Sequence, residues 1–264
     1  MYGVILNIIK NVFKLIGEKT IKVFSDAGNI ALMLADAIRM IPKRPFRFKL
    51  LLKQIEFIGN NSVPIVILTG IFTGMVFGLQ CYVGFRTFGA ESMAGTIVAL
   101  AMIRELGPVL SSIMVAARAG SAMTAELGTM KVTEQVDALS SMAVDPVHYL
   151  MVPRLIASMI VMPLMNAICI LFGLLGGYFV NVIIMGTNSV MYYDNSIQFV
   201  SDTDIFHSMF KAFIFGTIIA SVCCYNGFNT NMGAEGVGKA TTTAVVQSCV
   251  LILMFDYVIT SFLV

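Results

Sequence analysis

Charge is what this sequence has least of. Only 12% of its 264 residues are Asp, Glu, Lys or Arg, about half the share of an ordinary soluble domain. Hydrophobic residues make up 58%, and the mean hydropathy is +0.87. A soluble fold of this size would leave much of that apolar surface exposed and would aggregate. So few charges also argue against disorder. The net charge of +2 is too small to imply nucleic-acid binding. Metal and disulfide chemistry lack their residues too. There are two His, far apart, and five Cys with no CxxC among them. These cysteines (81, 169, 223, 224 and 249) lie in or beside apolar stretches and read as small packing residues. A secretory signal is not expected, because Lys10 and Lys14 interrupt the first apolar run. No nucleophile elbow, HExxH or GxGxxG occurs. Gly233 to Lys239 spells GxxxxGK, but Ala240 stands where a phosphate loop needs a hydroxyl, and an apolar span replaces the required strand.

What is there is a series of long apolar runs. Each span needs about 20 such residues. Five stretches qualify, at about 62–85, 95–117, 155–185, 207–226 and 241–264. The fold class is therefore all-α, a polytopic membrane protein. The third stretch is long enough to tilt or kink, with Pro163, Gly173, Gly176 and Gly177 as weak points. Residues 4–24 differ. Asn7, Lys10, Asn11, Lys14, Glu18 and Lys22 fall on one helical face; Ile5, Ile8, Ile9, Val12, Leu15 and Ile16 fill the other. That pattern predicts a helix lying in the membrane surface. Arg39, Lys43, Arg44, Arg47, Lys49 and Lys53 surround Pro42 and Pro45 in a basic bend suited to anionic lipid. Residues 1–61 thus form a basic interfacial segment and 62–264 the membrane domain.

Ten of the seventeen basic residues precede residue 62. Arg118, Lys131 and Arg154 mark the connection between spans two and three, and Lys239 that between four and five. The other two connections carry only Arg86. The positive-inside rule then puts the N-terminus in the cytoplasm. Lys211 breaks the pattern and is expected to snorkel from the outer end of span four.

Polar groups inside the spans are the candidate functional residues. Arg104 and Glu105 sit near the middle of span two, where each charge costs about 2.5–3.5 kcal/mol. Adjacent on a helix, they point about 100° apart and cannot simply neutralise each other. Their partners lie on other helices, another subunit or a ligand. A structural ion pair and a polar cavity wall are both open, with the cavity favoured. Pro108 loosens the turn beside them. Asp256 is the other buried acid and reads as structural. Gly70, Gly74 and Gly78 make a tandem GxxxG stripe, for packing within a subunit or between two. The cytoplasmic connection, 118–153, is too long for a turn. It is rich in helix formers, with Gly128 dividing two short helices and Asp145-Pro146 stopping the second. It serves a docking partner or is simply solvated.

The stretch ALAMIRELGPVLSSIMVAARAGSAMTAELGTMKVTEQVDALSSMAVDP, residues 99–146, resembles the MlaE-type permeases of ABC transporters that carry lipids for MCE-protein systems. GIFTGMVFGLQ at 70–80 and the closing stretch 239–260 resemble them too. The resemblance implies a homodimer in the bacterial inner membrane, a cytoplasmic ATPase subunit holding ATP and Mg²⁺, and a periplasmic MCE-domain protein. It implies no cofactor on this chain, which is a transport subunit and not an enzyme. By the same resemblance, Arg104, Glu105, Tyr82, Leu79 and Leu106 belong to a phospholipid pocket, and Glu126, Lys131, Glu134 and Asp137 to the ATPase-coupling segment. Lys53 and Lys239 stand where Arg is expected in the best-known member, which keeps charge but loses the planar fork. The implied function is ATP-driven phospholipid movement between inner and outer membranes, supporting outer-membrane asymmetry. The alternatives are a permease for a sterol or hydrocarbon, and an ion-coupled secondary transporter. The latter class often shows related halves, and no internal repeat is visible.

Overall fold

The computed structural model describes residues 2–43 and 47–263, and in the first helix the side chains of 14, 17, 18, 20–22 and 24 onward. It is all-α, with no strand among the described residues. Five helical stretches are long and apolar enough to cross a membrane: Phe48–Arg86, Glu91–Val132, Val147–Ile184, Asp202–Phe228 and Ala234–Leu263. The protein is an integral, multi-pass membrane protein.

Helix α1 (Tyr2–Met40) covers the predicted interfacial stretch and runs sixteen residues past it. Most side chains of its proposed faces, Ile5 to Val12 among them, lie outside the described residues, as do Arg44 and Pro45 of the basic bend. In its second half α1 is tied to the bundle: the Tyr225 hydroxyl donates to Asp26 at 3.3 Å, and Ala37 is buried. Helix α2 (Phe48–Gly59) leads into α3 (Val63–Arg86), which opens with Pro64 in its first turn, where a missing N–H costs nothing.

The second span is longer than the sequence suggests. It comprises α4 (Ala94–Ala101), α5 (Gly107–Val115) and α6 (Ser121–Val132), joined by π turns at Met102–Leu106 and Ala116–Gly120. Gly128 does not divide helices. It is buried inside α6 against Thr230, where an added Cβ would come within 2.8 Å of the Thr230 hydroxyl. The break falls at Glu134, whose φ of +60° is left-handed; α7 (Gln135–Ser141) follows. Asp145 does not stop α7. Its side chain accepts from the Val147 amide at 2.9 Å and so opens the third span.

That span starts with a π turn at Val147–Met151 and continues as α8 (Val152–Tyr178), unbroken through Pro163. Its glycines are contact points. Every fourth residue of α3 is buried: Val66, Gly70, Gly74, Gly78, Tyr82. A Cβ on Gly70 would meet the Cys169 carbonyl at 2.7 Å, one on Gly74 would collide with the Gly173 carbonyl, and one on Gly78 would meet Gly177 Cα at 3.1 Å. The tandem GxxxG stripe therefore packs inside one subunit, backbone against backbone on α8. The 186–206 connection holds a helix that the sequence did not suggest, α9 (Ser189–Gln198), capped by the Asn188 side chain. It is fastened to span two by Thr96 Oγ1, which donates to the Asn195 carbonyl at 2.9 Å. Helices α10 (Asp202–Phe228) and α11 (Ala234–Leu263) complete the bundle. Buried polar stitches hold α10 to α8, such as Asn166 Nδ2 to Ser208 Oγ at 2.8 Å and Ser158 Oγ to the Gly216 carbonyl at 3.0 Å.

Candidate functional site

The π turn at Met102–Leu106 is where span two carries its charges. The Gly107 amide bonds back five residues to the Met102 carbonyl, which widens the helix. Pro108 has no N–H to give the Arg104 carbonyl, its α-helical partner position. That carbonyl accepts instead from Lys211 Nζ at 2.9 Å.

Lys211 is the hub. Besides that carbonyl, its ammonium reaches Glu105 Oε2 at 2.9 Å, Asp256 Oδ1 at 3.0 Å and Thr260 Oγ1 at 2.7 Å. Its side chain is 3% exposed. The expectation that Lys211 snorkels is thus overturned. Two carboxylates from spans two and five hold it in the bundle, and an ammonium so neutralised has no need of the headgroup layer. Asp256 finds its cation here, and Thr260 donates back to Glu105 Oε1 at 3.1 Å.

Arg104 takes a different partner. Its Nε lies 2.8 Å from Asp204 Oδ1 and its Nη2 3.2 Å from Oδ2, a two-pronged grip. Asp204 in turn caps α10: it accepts from the Ser201 amide at 3.1 Å, and Ser201 Oγ takes the Asp204 amide at 3.4 Å. The acid is nearly buried, whereas half of the Arg104 side chain is exposed. One edge of the guanidinium therefore remains open.

Both groups face a cavity of about 310 Å³ lined by Arg104, Glu105, Thr203, Asp204, His207, Lys211 and Thr260. It contains two cations beside carboxylates: Lys211 is held by Glu105 and Asp256, and Arg104 is half exposed beside Asp204. Leu79, Tyr82 and Leu106 are not in its lining. Tyr82 is buried in the α3 stripe, and Leu79 lies on the outward side of α3. Sequence reasoning missed Lys211 and Asp204. For Asp204 a signal existed: Ser201-Asp-Thr-Asp204 before an apolar run is a capping box.

At the far end of the bundle, Glu126 meets Arg154 Nη2 at 2.7 Å. Arg154 is buried, and its Nη1 donates to the Leu150 carbonyl at 2.8 Å. Lys131 holds Asp137 across the α6–α7 break at 2.8 Å. Glu134 is exposed, with no side-chain partner among the described residues. The GxxxxGK stretch is a turn at Gly233, φ +94°, running into α11, with Gly238 and Lys239 already helical.

The family model of the MlaE permease matches residues 51–262. The chain is 38% identical over 256 residues to the intermembrane phospholipid transport system permease protein MlaE of Haemophilus influenzae, covering 96% of this chain and 97% of that one. It is 44% identical over 253 residues to a probable ABC transporter permease protein of Rickettsia typhi, covering 96% and 98%. A chloroplastic protein of Arabidopsis thaliana, trigalactosyldiacylglycerol 1, is 37% identical over 234 residues, covering 89% of this chain and 67% of its own. The likeness takes in every membrane-spanning helix and the charged turn of span two, and on that extent the chain belongs to the MlaE family of ABC transporter permeases.

Proposed function

We propose that this chain is the membrane subunit of an ATP-driven transporter moving phospholipid between the inner and outer membranes, and so sustaining outer-membrane asymmetry. The observation that carries the reading is the half-exposed Arg104 guanidinium, beside a charged cavity between span two, the first turns of α10 and the last turn of α11. A lipid phosphate satisfies such a fork through two parallel hydrogen bonds, while the acyl chains take the surrounding apolar walls. The name of the Haemophilus relative supports a phospholipid as cargo.

Two copies assemble about the cavity, with an ABC ATPase in the cytoplasm and an MCE-domain protein on the other side of the inner membrane. ATP and Mg²⁺ bind the ATPase. In this reading the second copy packs against the exposed apolar stripe of α3 (Leu68, Phe72, Val76, Leu79, Val83) and the outward face of α11 (Val250, Leu253, Tyr257). Leu79 then joins the pocket from the dimer side. Glu134 and α7 form the ATPase-docking projection, tied at both ends to spans. Basic residues concentrate at that end, which supports a cytoplasmic N-terminus.

The test is phospholipid retained per purified complex. Arg104→Ala is expected to lower it severalfold while complex yield is kept, and Arg104→Lys to restore part of it. Unchanged lipid in Arg104→Ala refutes the assignment of the cavity. The pure chain is expected to hydrolyse no ATP; saturable hydrolysis without an ATPase subunit refutes the division of labour.

A further inference from the structure

A second cavity lies on the other side of the first turns of α10, larger than the charged one and opposite in character. It measures about 510 Å³, within the usual range for small-molecule sites, roughly 300–1,000 Å³. Its walls come from span two (Ala99, Ile103), α8 (Leu171, Leu174, Tyr178) and the α9–α10 corner (Ile197, Val200, Ile205). Tyr178 and Tyr192 close its back edge-to-face, ring centroids 5.8 Å apart. Burial, with Cys81 nearby, pushes the Tyr192 phenol up to about 12, so that end stays uncharged. Ser196 spends its hydroxyl on the Tyr192 carbonyl at 2.7 Å. The lining contains one ionisable acid, Asp202, and no Lys, Arg or His.

Three observations say what belongs there. First, the groove opens on the outward stripe of α8, where Leu164, Leu171 and Leu175 are all exposed. In a membrane protein that stripe meets lipid tails, and the groove continues it inward. Second, its size suits a slender occupant. A cylinder about 10 Å across, the width of a helix with side chains, would fill this volume in roughly one turn. An acyl chain is slender enough to enter. Third, the one carboxylate of the lining is Asp202, and the lining holds no cation. Residues 186–206 hold Asp194, Asp202 and Asp204 with no Lys or Arg, and Asp204 is already engaged by Arg104. An anionic headgroup is repelled here and an ammonium is attracted.

We propose that this groove is a second lipid site, taking one acyl chain of an amine-headed phospholipid from the surrounding leaflet, with its ammonium beside Asp202. It shares no lining residue with the Arg104 cavity, and it is selective in the opposite sense: the cavity reads the phosphate, the groove reads the amine. The site stands on its own geometry and does not need the transport reading to hold.

The experiment uses the full chain with its partner subunits in vesicles containing either phosphatidylethanolamine or phosphatidylglycerol, each carrying a photoactivatable acyl chain. Labelled peptides are mapped by mass spectrometry. Label from phosphatidylethanolamine is expected on residues 171–178 and 192–205, exceeding that from phosphatidylglycerol by about two- to fivefold, the yield of one exposed ion pair. Asp202→Asn should erase that preference and leave tail labelling in place. Leu174→Trp, which fills the groove, should remove the label. Ile197→Trp at the rim serves the same purpose should the first variant not assemble. Arg104→Ala should leave groove labelling intact, which separates this site from the central one. Label confined to peptides around Arg104 and Lys211 overturns the proposal, as does groove label that persists in both Trp variants. So does label that appears only when the partner subunits are omitted, because a protein segment then owns the groove.

Discussion

Two seams of the same bundle are closed by opposite means. Along α3 and α8 the contact is backbone on backbone. Gly70 and Gly74 face the backbone of Cys169 and Gly173, and Gly78 faces Gly177 and the Asn181 side chain. Where spans two, four and five meet, the contact is charge, with Lys211 joined to Glu105 and Asp256 and Arg104 joined to Asp204. In a bilayer these differ in what can replace them. Lipid tails are as apolar as side chains, so close packing wins by fit alone and has no competitor of the same shape. A charge pair does have competitors, because a ligand phosphate offers Arg104 the same geometry as Asp204. The glycine seam is therefore a frame. The charged seam is closed at Lys211 and half open at Arg104, with 3% against 50% of the side chain exposed.

Breaking the charged seam at its hub should have the largest effect. Lys211→Ala strands two carboxylates against each other, at about 3–5 kcal/mol. Monodisperse protein should be largely lost on size exclusion. Adding Glu105→Gln and Asp256→Asn to Lys211→Met should recover most of the yield, since the cost lies in uncompensated charge. A stable Lys211→Ala protein would mean that Lys211 is not the frame.

Breaking the glycine seam comes next. Gly74→Ala drives a Cβ into the Gly173 carbonyl, and backbone cannot swing aside as a side chain can. Overpacking of this kind costs about 1–3 kcal/mol. Gly84, also on α3, has nothing within 4 Å of its added Cβ. Gly84→Ala should leave thermal stability in detergent unchanged or slightly raised, while Gly74→Ala lowers it. Equal behaviour of the two would place the seam elsewhere.

The sequence carried the seams unequally. Hydrophobic run length located all five spans, because the bilayer imposes a length and forbids unpaired backbone. The tandem glycines were visible, but helical spacing says only that a flat face exists, not whose face meets it. Arg104 and Glu105 stood out as expensive. Lys211 did not, because position along a span suggested an escape route, and only the tertiary fold reveals two carboxylates within 3.0 Å. α9 was hidden by a polar, proline-free stretch whose helical stability comes from docking on span two. Gly128 misled: a glycine amid helix formers reads as a break, and here it is a helical residue that admits Thr230.

Separating the two cations sharpens the comparison at lower cost. Asp204→Ala removes the acid of the α10 capping box, which accepts from the Ser201 amide, and leaves Arg104 without its intramolecular partner. If Arg104 is exchangeable, bound phospholipid should rise in Asp204→Ala, not fall, and should fall again when Arg104→Ala is added. Equal lipid in wild type and Asp204→Ala would mean that Asp204 and phosphate do not compete.

The smallest effect on stability and the cleanest on coupling belong to Glu134, outside both seams. Its left-handed backbone, φ +60°, is a conformation that glycine adopts freely. Glu134→Gly keeps the α6–α7 corner, removes one charge and releases backbone strain, while giving the unfolded chain more freedom. The two offset, so stability should move by no more than about 1 kcal/mol. Glu134→Lys keeps the strain and reverses the charge, with equally little effect on the bundle, because the side chain is exposed. The variants therefore differ in charge on an unchanged scaffold. If Glu134 docks electrostatically on a basic ATPase surface, affinity for the ATPase should fall in the order wild type, Glu134→Gly, Glu134→Lys, and the loss should shrink as salt is raised. If the corner docks by shape alone, all three should bind alike. A Glu134→Gly protein that binds no worse than wild type while Glu134→Lys fails would mean that Glu134 is tolerated at the interface and only repulsion is resisted. Isothermal titration of the detergent-solubilised chain with its ATPase at two salt concentrations distinguishes these outcomes.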